Sequence, residues 1–183
     1  GYQWYSIRFR SIRDETGRAI KLIGQLTNIH HQKLEEDRLR HEASTDLLTQ
    51  IYNKITTEHL VSLELQEGRN HALIVVDLDK FKYANDTFGH LFGDSVIKAV
   101  AATLRATFRA TDIVGRTGGD EFVVLAKDIS LSDGLETLKA KCRRLSVELA
   151  HVSLGQDYVI SASIGISLFP RDGKTYAELF AKA

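Results

Sequence analysis

Methionine is absent from all 183 residues, position 1 included, as expected of a fragment of a longer protein. A single cysteine, Cys142, excludes an internal disulfide framework. It fits a reducing, cytoplasmic compartment, for the chain alone or as the cytoplasmic part of something larger. Its place on an apolar helix face favours packing over reactivity. No apolar run approaches the ~20 residues that span a bilayer, and no signal peptide is visible. No membrane contact is therefore expected within this stretch. Charge of one sign is also missing: Lys+Arg and Asp+Glu balance at 24 each, leaving no basic field for nucleic acid or anionic lipid. What is present, 43% hydrophobic and 26% charged residues, is the composition of a globular domain with a sizeable core plus an appendage.

Residues 1–31 read as the end of a separate domain. Tyr5, Ile7 and Phe9 alternate with Ser6, Arg8 and Arg10, the period of a half-buried strand. A turn at Asp14-Glu15-Thr16-Gly17 leads to a second strand over Ile20–Leu26. Two strands cannot bury a core, so this hairpin needs a docking surface. It resembles the last hairpin of a PAS/PAC-like sensor domain, with Gly24-Gln25-Leu26-Thr27-Asn28-Ile29 as the exit. Residues 32–45 are charged and free of Gly and Pro, a connecting, signalling helix whose Leu34, Leu39 and Ala43 keep no heptad.

The main domain, 46–183, opens with a helix expected from Thr45 or Asp46 as N-cap to about Gln66. His71–Leu78 is a nearly continuous apolar run, a strand buried on both faces. Asp94 is expected to cap a helix with Val96, Ile97, Val100, Ala101, Leu104 and Phe108 on one face. Residues 112–126 form a hairpin around Gly118-Gly119, glycines that supply φ > 0 and allow close approach to the backbone. A further helix is expected over 132–150, its apolar residues at 3,4,3,4 spacing. Tyr158, Ile160, Ala162, Ile164 and Ile166 alternate as the last strand. The order is βαββαβ. It implies an α+β, ferredoxin-like fold with an antiparallel sheet and helices on one face, preceded by the hairpin and the connecting helix.

Asp77 ends the apolar strand, where a lone buried carboxylate costs several kcal/mol unless it is paired or metal-bound. In this fold that strand is expected to be central and next to the strand carrying Arg116, so the hairpin tip should bring Asp120 close to it. Two converging carboxylates at a glycine turn suit Mg²⁺, which takes one or two carboxylates together with waters and phosphate oxygens. The plainer alternative is that Asp77 and Asp120 pair with Lys80 and Arg116.

Arg116-Thr117-Gly118-Gly119-Asp120-Glu121-Phe122 carries the signature of the GGDEF family of diguanylate cyclases, which this chain resembles. The stretch from Asp77 to Asp94 matches a second family pattern, D-x-D-x-F-K-x-x-N-D-x-x-G-H-x-x-G-D, at every fixed position. The resemblance implies a nucleotide-cyclase palm that condenses two GTP into cyclic di-GMP with release of pyrophosphate. It implies two Mg²⁺ (or Mn²⁺) ions per site on Asp77, Asp120, the Leu78 carbonyl and Glu121. The ribose 3′-hydroxyl would attack the α-phosphorus in line, with Asp120 or Glu121 as base. Asn85 and Asp94 would read guanine, and Lys80, Phe81, Gly118 and Gly119 would line the phosphate turn. Each site holds one GTP, so catalysis implies a homodimer. Arg109 and Asp112 fit an RxxD product-inhibition site, nine residues ahead of Gly118, and Asp46 in D-x-L-T is placed to pair with Arg116. The chain departs from the family at Gln50, Ile51 and Lys54, and ends before the lysine and arginine that contact the terminal phosphates. The competing reading is an inactive GGDEF domain acting as a cyclic di-GMP or GTP receptor; no nucleic acid partner is implied by either.

Overall fold

The computed structural model describes residues 2–130, 134–155 and 157–183. It divides into two compact units, Gly1–Ala43 and Ser44–Ala183. In the first, β1 (Tyr5–Arg13) pairs antiparallel with β2 (Ala19–Asn28). Asp14 closes the turn, accepting from the backbone N–H groups of Thr16 and Arg18. One face of the hairpin carries Ile7, Phe9, Leu22 and Leu26, all exposed. Helix α1 (His30–Ser44) follows, polar over most of its length as expected.

The second unit is built on a four-stranded antiparallel sheet of β3 (His71–Leu78), β4 (Ile113–Arg116), β5 (Glu121–Ala126) and β6 (Ala162–Phe169), in the order β4-β5-β3-β6. That is the order of a ferredoxin-like βαββαβ fold. Strand β3 is central as expected, but its neighbours are β5 and β6; Arg116 lies on the edge strand β4. Alternation along β3 sends Ala72, Ile74, Val76 and Leu78 to one face and Leu73 and Val75 to the other. The first face packs on α4 (His90–Thr107) and α5 (Gly134–Ala150) through Val96, Ile97, Val100, Leu104, Leu138, Cys142, Leu145 and Leu149. Burial pushes the Cys142 thiol up to about 11, so it packs and does not react.

The second face is not open, as a simple one-sided layer would leave it. Helices α2 (Lys54–Gln66) and α6 (Tyr176–Lys182) cover it through Val61, Leu65 and Leu179. Near-continuous burial of β3 needs both layers, because each face of the strand must leave water. Residues 132 and 133, expected to open α5, lie outside the described residues.

Two helix starts differ from the expectation. The segment 45–53 does not become helical, because its backbone has better partners. Thr45 bridges Tyr52, Tyr52 donates to the Val114 carbonyl at 3.2 Å, and Arg116 donates back to Tyr52 at 2.8 Å. Asn53 is the N-cap instead, its Oδ1 accepting from the Thr56 N–H at 3.0 Å. Likewise α4 starts at His90, after the helix α3 (Phe81–Phe88) and a turn at Gly89 with φ +85°. Asp94 sits inside α4 and caps nothing. The last strand begins at Ala162, so Tyr158 and Ile160 belong to the approach segment.

Gly115 on β4 lies against the fully buried Thr57 of α2: an added Cβ would meet Thr57 Oγ1 at 1.8 Å and Thr57 Cβ at 2.9 Å. Gly115→Ala should therefore destabilise the domain by about 1–3 kcal/mol, the usual cost of overpacking. Urea unfolding reads this as a lower midpoint at unchanged slope.

Candidate functional site

The register of β3 and β5 sets Asp77 directly opposite Glu121, and the Leu78 N–H donates to the Asp120 carbonyl at 3.2 Å. The expected convergence of the hairpin with the end of β3 is therefore present, made by β5. Asp77 is exposed, not buried. Its carboxyl is nonetheless pushed above the usual range, by partial desolvation first and then by the charges of Asp120, Glu121 and Asp79. Asp79 is held to the side, accepting from the Ser163 hydroxyl at 2.8 Å. An open cleft beside this strand end is lined by Asp77, Leu78, Asp79, Lys80, Tyr83 and Tyr158, among others. Lys80 is exposed and takes φ 56° at the start of α3, a left-handed conformation that a non-glycine residue adopts at some cost.

The glycine pair works differently from the expectation. Neither Gly118 nor Gly119 takes a positive φ; what they supply is space. A Cβ on Gly119 would meet nothing within 4 Å, whereas one on Gly118 would lie 3.2 Å from Glu121 Cβ. The loop is held from behind by Arg116, which donates to the Gly119 carbonyl at 2.7 and 3.2 Å and pairs with Asp46 at 3.2 Å. The Asp46–Arg116 pair anticipated from sequence is thus formed, although from a turn and not from a helix. Thr117 N–H and hydroxyl both reach Glu121, the hydroxyl to Oε1 at 2.5 Å. Sequence reasoning quoted Thr117 within the motif but gave it no role.

On the other side, α3 and α4 bring Asn85 against Gly93, the residue before Asp94. A Cβ at Gly93 would lie 1.9 Å from Asn85 Oδ1 and 3.3 Å from the Phe81 ring, so this glycine serves helix–helix contact and not a turn. Phe81 is half-buried in that contact. Among the described residues, no protein group hydrogen-bonds the Asn85 side chain or the Asp94 carboxylate. Arg109 and Asp112 are joined, but through the backbone: Asp112 accepts from the N–H groups of Arg109 at 2.8 Å and Lys127 at 3.1 Å. Its carboxylate braces the turn, and no acceptor among the described residues reaches the exposed Arg109 guanidinium.

No three acidic, histidine or cysteine side chains among the described residues converge so as to enclose an ion unaided. The oxygen-only donors Asp77, Asp120 and Glu121 and their mutual repulsion still fit Mg²⁺, a hard cation that takes one or two carboxylates and completes its shell with water and phosphate.

Residues 43–183 match the family described as "Diguanylate cyclase, GGDEF domain", and the chain belongs to the GGDEF family. Its relatives span several activities. It is 30% identical over 172 residues to the diguanylate cyclase DosC of Escherichia coli K12, covering 87% of this chain and 37% of DosC. It is 34% identical over 174 residues to the cyclic di-GMP phosphodiesterase NbdA of Pseudomonas aeruginosa, covering 92% of this chain and 21% of NbdA. The chain thus spans about a fifth to somewhat over a third of these relatives' lengths. A crystal structure of a sensory box/GGDEF family protein from Caulobacter crescentus superimposes with a TM-score of 0.69 at 33% identity, over 76% of this chain and 92% of that one. No helix among the described residues is long and apolar enough to cross a membrane.

Burial acts to raise the Asp46 carboxyl, but hydrogen bonds from Thr49 and Arg116 outweigh it and hold the carboxyl below its ordinary 3.8. A lowered folded value means stability that is full above pH ~4 and lost as pH falls through the folded value. Asp46→Asn should cost about 1.5–3 kcal/mol at pH 7, the range for hydrogen bonds to a charged group. In urea titrations the gap from the parent should close toward pH 3.

Proposed function

We propose that this domain is a diguanylate cyclase, joining two GTP into cyclic di-GMP with release of pyrophosphate. The observation that carries the reading is the carboxylate rim: Asp77 opposite Glu121, with Asp120 hydrogen-bonded by its backbone to Leu78. Natural folds seldom tolerate facing like charges without a use for them. Asp77, Asp120, Glu121 and the Leu78 carbonyl would hold Mg²⁺ or Mn²⁺, two per site. Bound there, the metal would acidify the attacking hydroxyl and offset the charge of the phosphates.

The remaining work falls to the chain's own residues. Asn85 and Asp94 present an amide and a carboxylate that have no hydrogen-bond partner among the described residues. A carboxylate accepts from guanine N1–H and N2–H₂, while an amide can meet O6 or N3. Lys80 places a charge beside Asp77 for a phosphate, and the open space at Gly119 admits phosphate oxygens near the backbone. Asp120, whose carboxylate accepts no hydrogen bond from the described residues, or Glu121 would take the proton from the 3′-hydroxyl. Each copy binds one GTP, so the reaction needs two copies face to face. The N-terminal hairpin and α1 would be the end of a PAS-like sensor and its connection, a reading supported by the hairpin's exposed apolar face. At the RxxD turn, Arg109 would bind a product phosphate while Asp112 keeps the turn in shape.

The test is to incubate the full-length protein with GTP and Mg²⁺ and to quantify pyrophosphate and cyclic di-GMP. The parent should make both, and Asp120→Ala should lose about 10²-fold or more. Asp94→Ala should mainly weaken GTP binding. No product, with cyclic di-GMP bound by the parent and not by Arg109→Ala, would make the domain a receptor.

A further inference from the structure

Glu121 faces Asp77 across the ladder, so its side chain would relieve repulsion by swinging away. One contact opposes that movement: the Thr117 hydroxyl donates to Oε1 at 2.5 Å. The backbone fixes the donor in turn: the N–H groups of Thr117 and Gly118 both donate to the Glu121 carbonyl, at 3.0 and 3.3 Å. One carboxylate oxygen is thereby occupied, and among the described residues no donor reaches the other, Oε2.

We propose that Thr117 is a positioning residue that locks the Glu121 side chain and leaves Oε2 free to ligate a divalent cation arriving with a nucleoside triphosphate. The proposal rests on the cyclase reading of the carboxylate rim. A ligand held in place before binding loses no rotamer freedom when the cation arrives, and partners that orient a ligand are commonly worth 10–100-fold in affinity or activity. The competing role for the hydroxyl is simple closure of the hairpin, which would act on stability alone.

The full chain carrying Thr117→Val, which keeps the shape and removes the hydroxyl, is compared with Thr117→Ser, which keeps the hydroxyl. Mn²⁺ affinity is read by electron paramagnetic resonance in the presence of a non-hydrolysable GTP analogue, alongside kcat, KM for GTP and the melting temperature. Thr117→Val should weaken Mn²⁺ about tenfold and lower kcat by a similar factor with KM for GTP nearly unchanged. Thr117→Ser should restore both. Wild-type Mn²⁺ affinity in Thr117→Val, or a Ser variant as impaired as Val, overturns the proposal. So does a lower melting temperature with metal affinity intact. If the parent turns over no GTP, the cyclase reading fails by itself, while the Mn²⁺ comparison still decides the role of Thr117.

Discussion

Antiparallel pairing of β3 with β5 puts Asp77 and Glu121 at the same rung of one ladder, and like charges in that position repel. Neither residue can leave without slipping the register, and a slip of one residue would turn the whole buried set of β3 toward the wrong layer. The five rungs behind them, from Val76–Phe122 back to Ala72–Ala126, are almost wholly buried and apolar. Those rungs hold the charges where they are. The repulsion is confined to the rim and the cohesion to the interior, so the domain tolerates an unfavourable cluster at one end of its most stable element.

The same economy governs α3 and α4. Only a glycine at position 93 allows Asn85 so close to the second helix, and that closeness places the amide one residue from Asp94. Phe81 lies under the contact and joins it to the core beneath the sheet. Packing thus sets the spacing of two polar groups that make no hydrogen bond to each other.

Much of this was legible in the sequence because it rests on period and on long motifs. The alternation in β1, the apolar run of β3 and the 3,4 spacing of α5 each specify an element by their period alone, and the two acidic motifs locate the rim. What escaped was whatever depends on partners far along the chain. Residues 45–53 have acceptable helix propensity, yet β4 offers their backbone a better set of hydrogen bonds. Asp94 looks like an N-cap because helical periodicity strengthens after it, while the first turn of α4, His90-Leu91-Phe92-Gly93, carries too little apolar pattern to announce itself. Gly118 and Gly119 look like residues chosen for φ, yet neither takes a positive φ; Gly118 leaves room for the Glu121 side chain, and Gly119 faces open space. Of the second helical layer, α2 was expected as an element but not as cover for the sheet, and α6 was missed because it has only seven residues.

The bridge from Tyr52 to the outer side of β4 has a further bearing on how copies of this domain can meet. Strand β4 is one rim of the sheet, and an open rim is a template for pairing with another polypeptide. Here the carbonyl of Val114 and the N–H of Arg116 are already engaged by Tyr52, in a strand only four residues long. Docking of a foreign strand along that border would first have to displace the Tyr52 segment, so edge-to-edge polymerisation is blocked on this side by the chain itself.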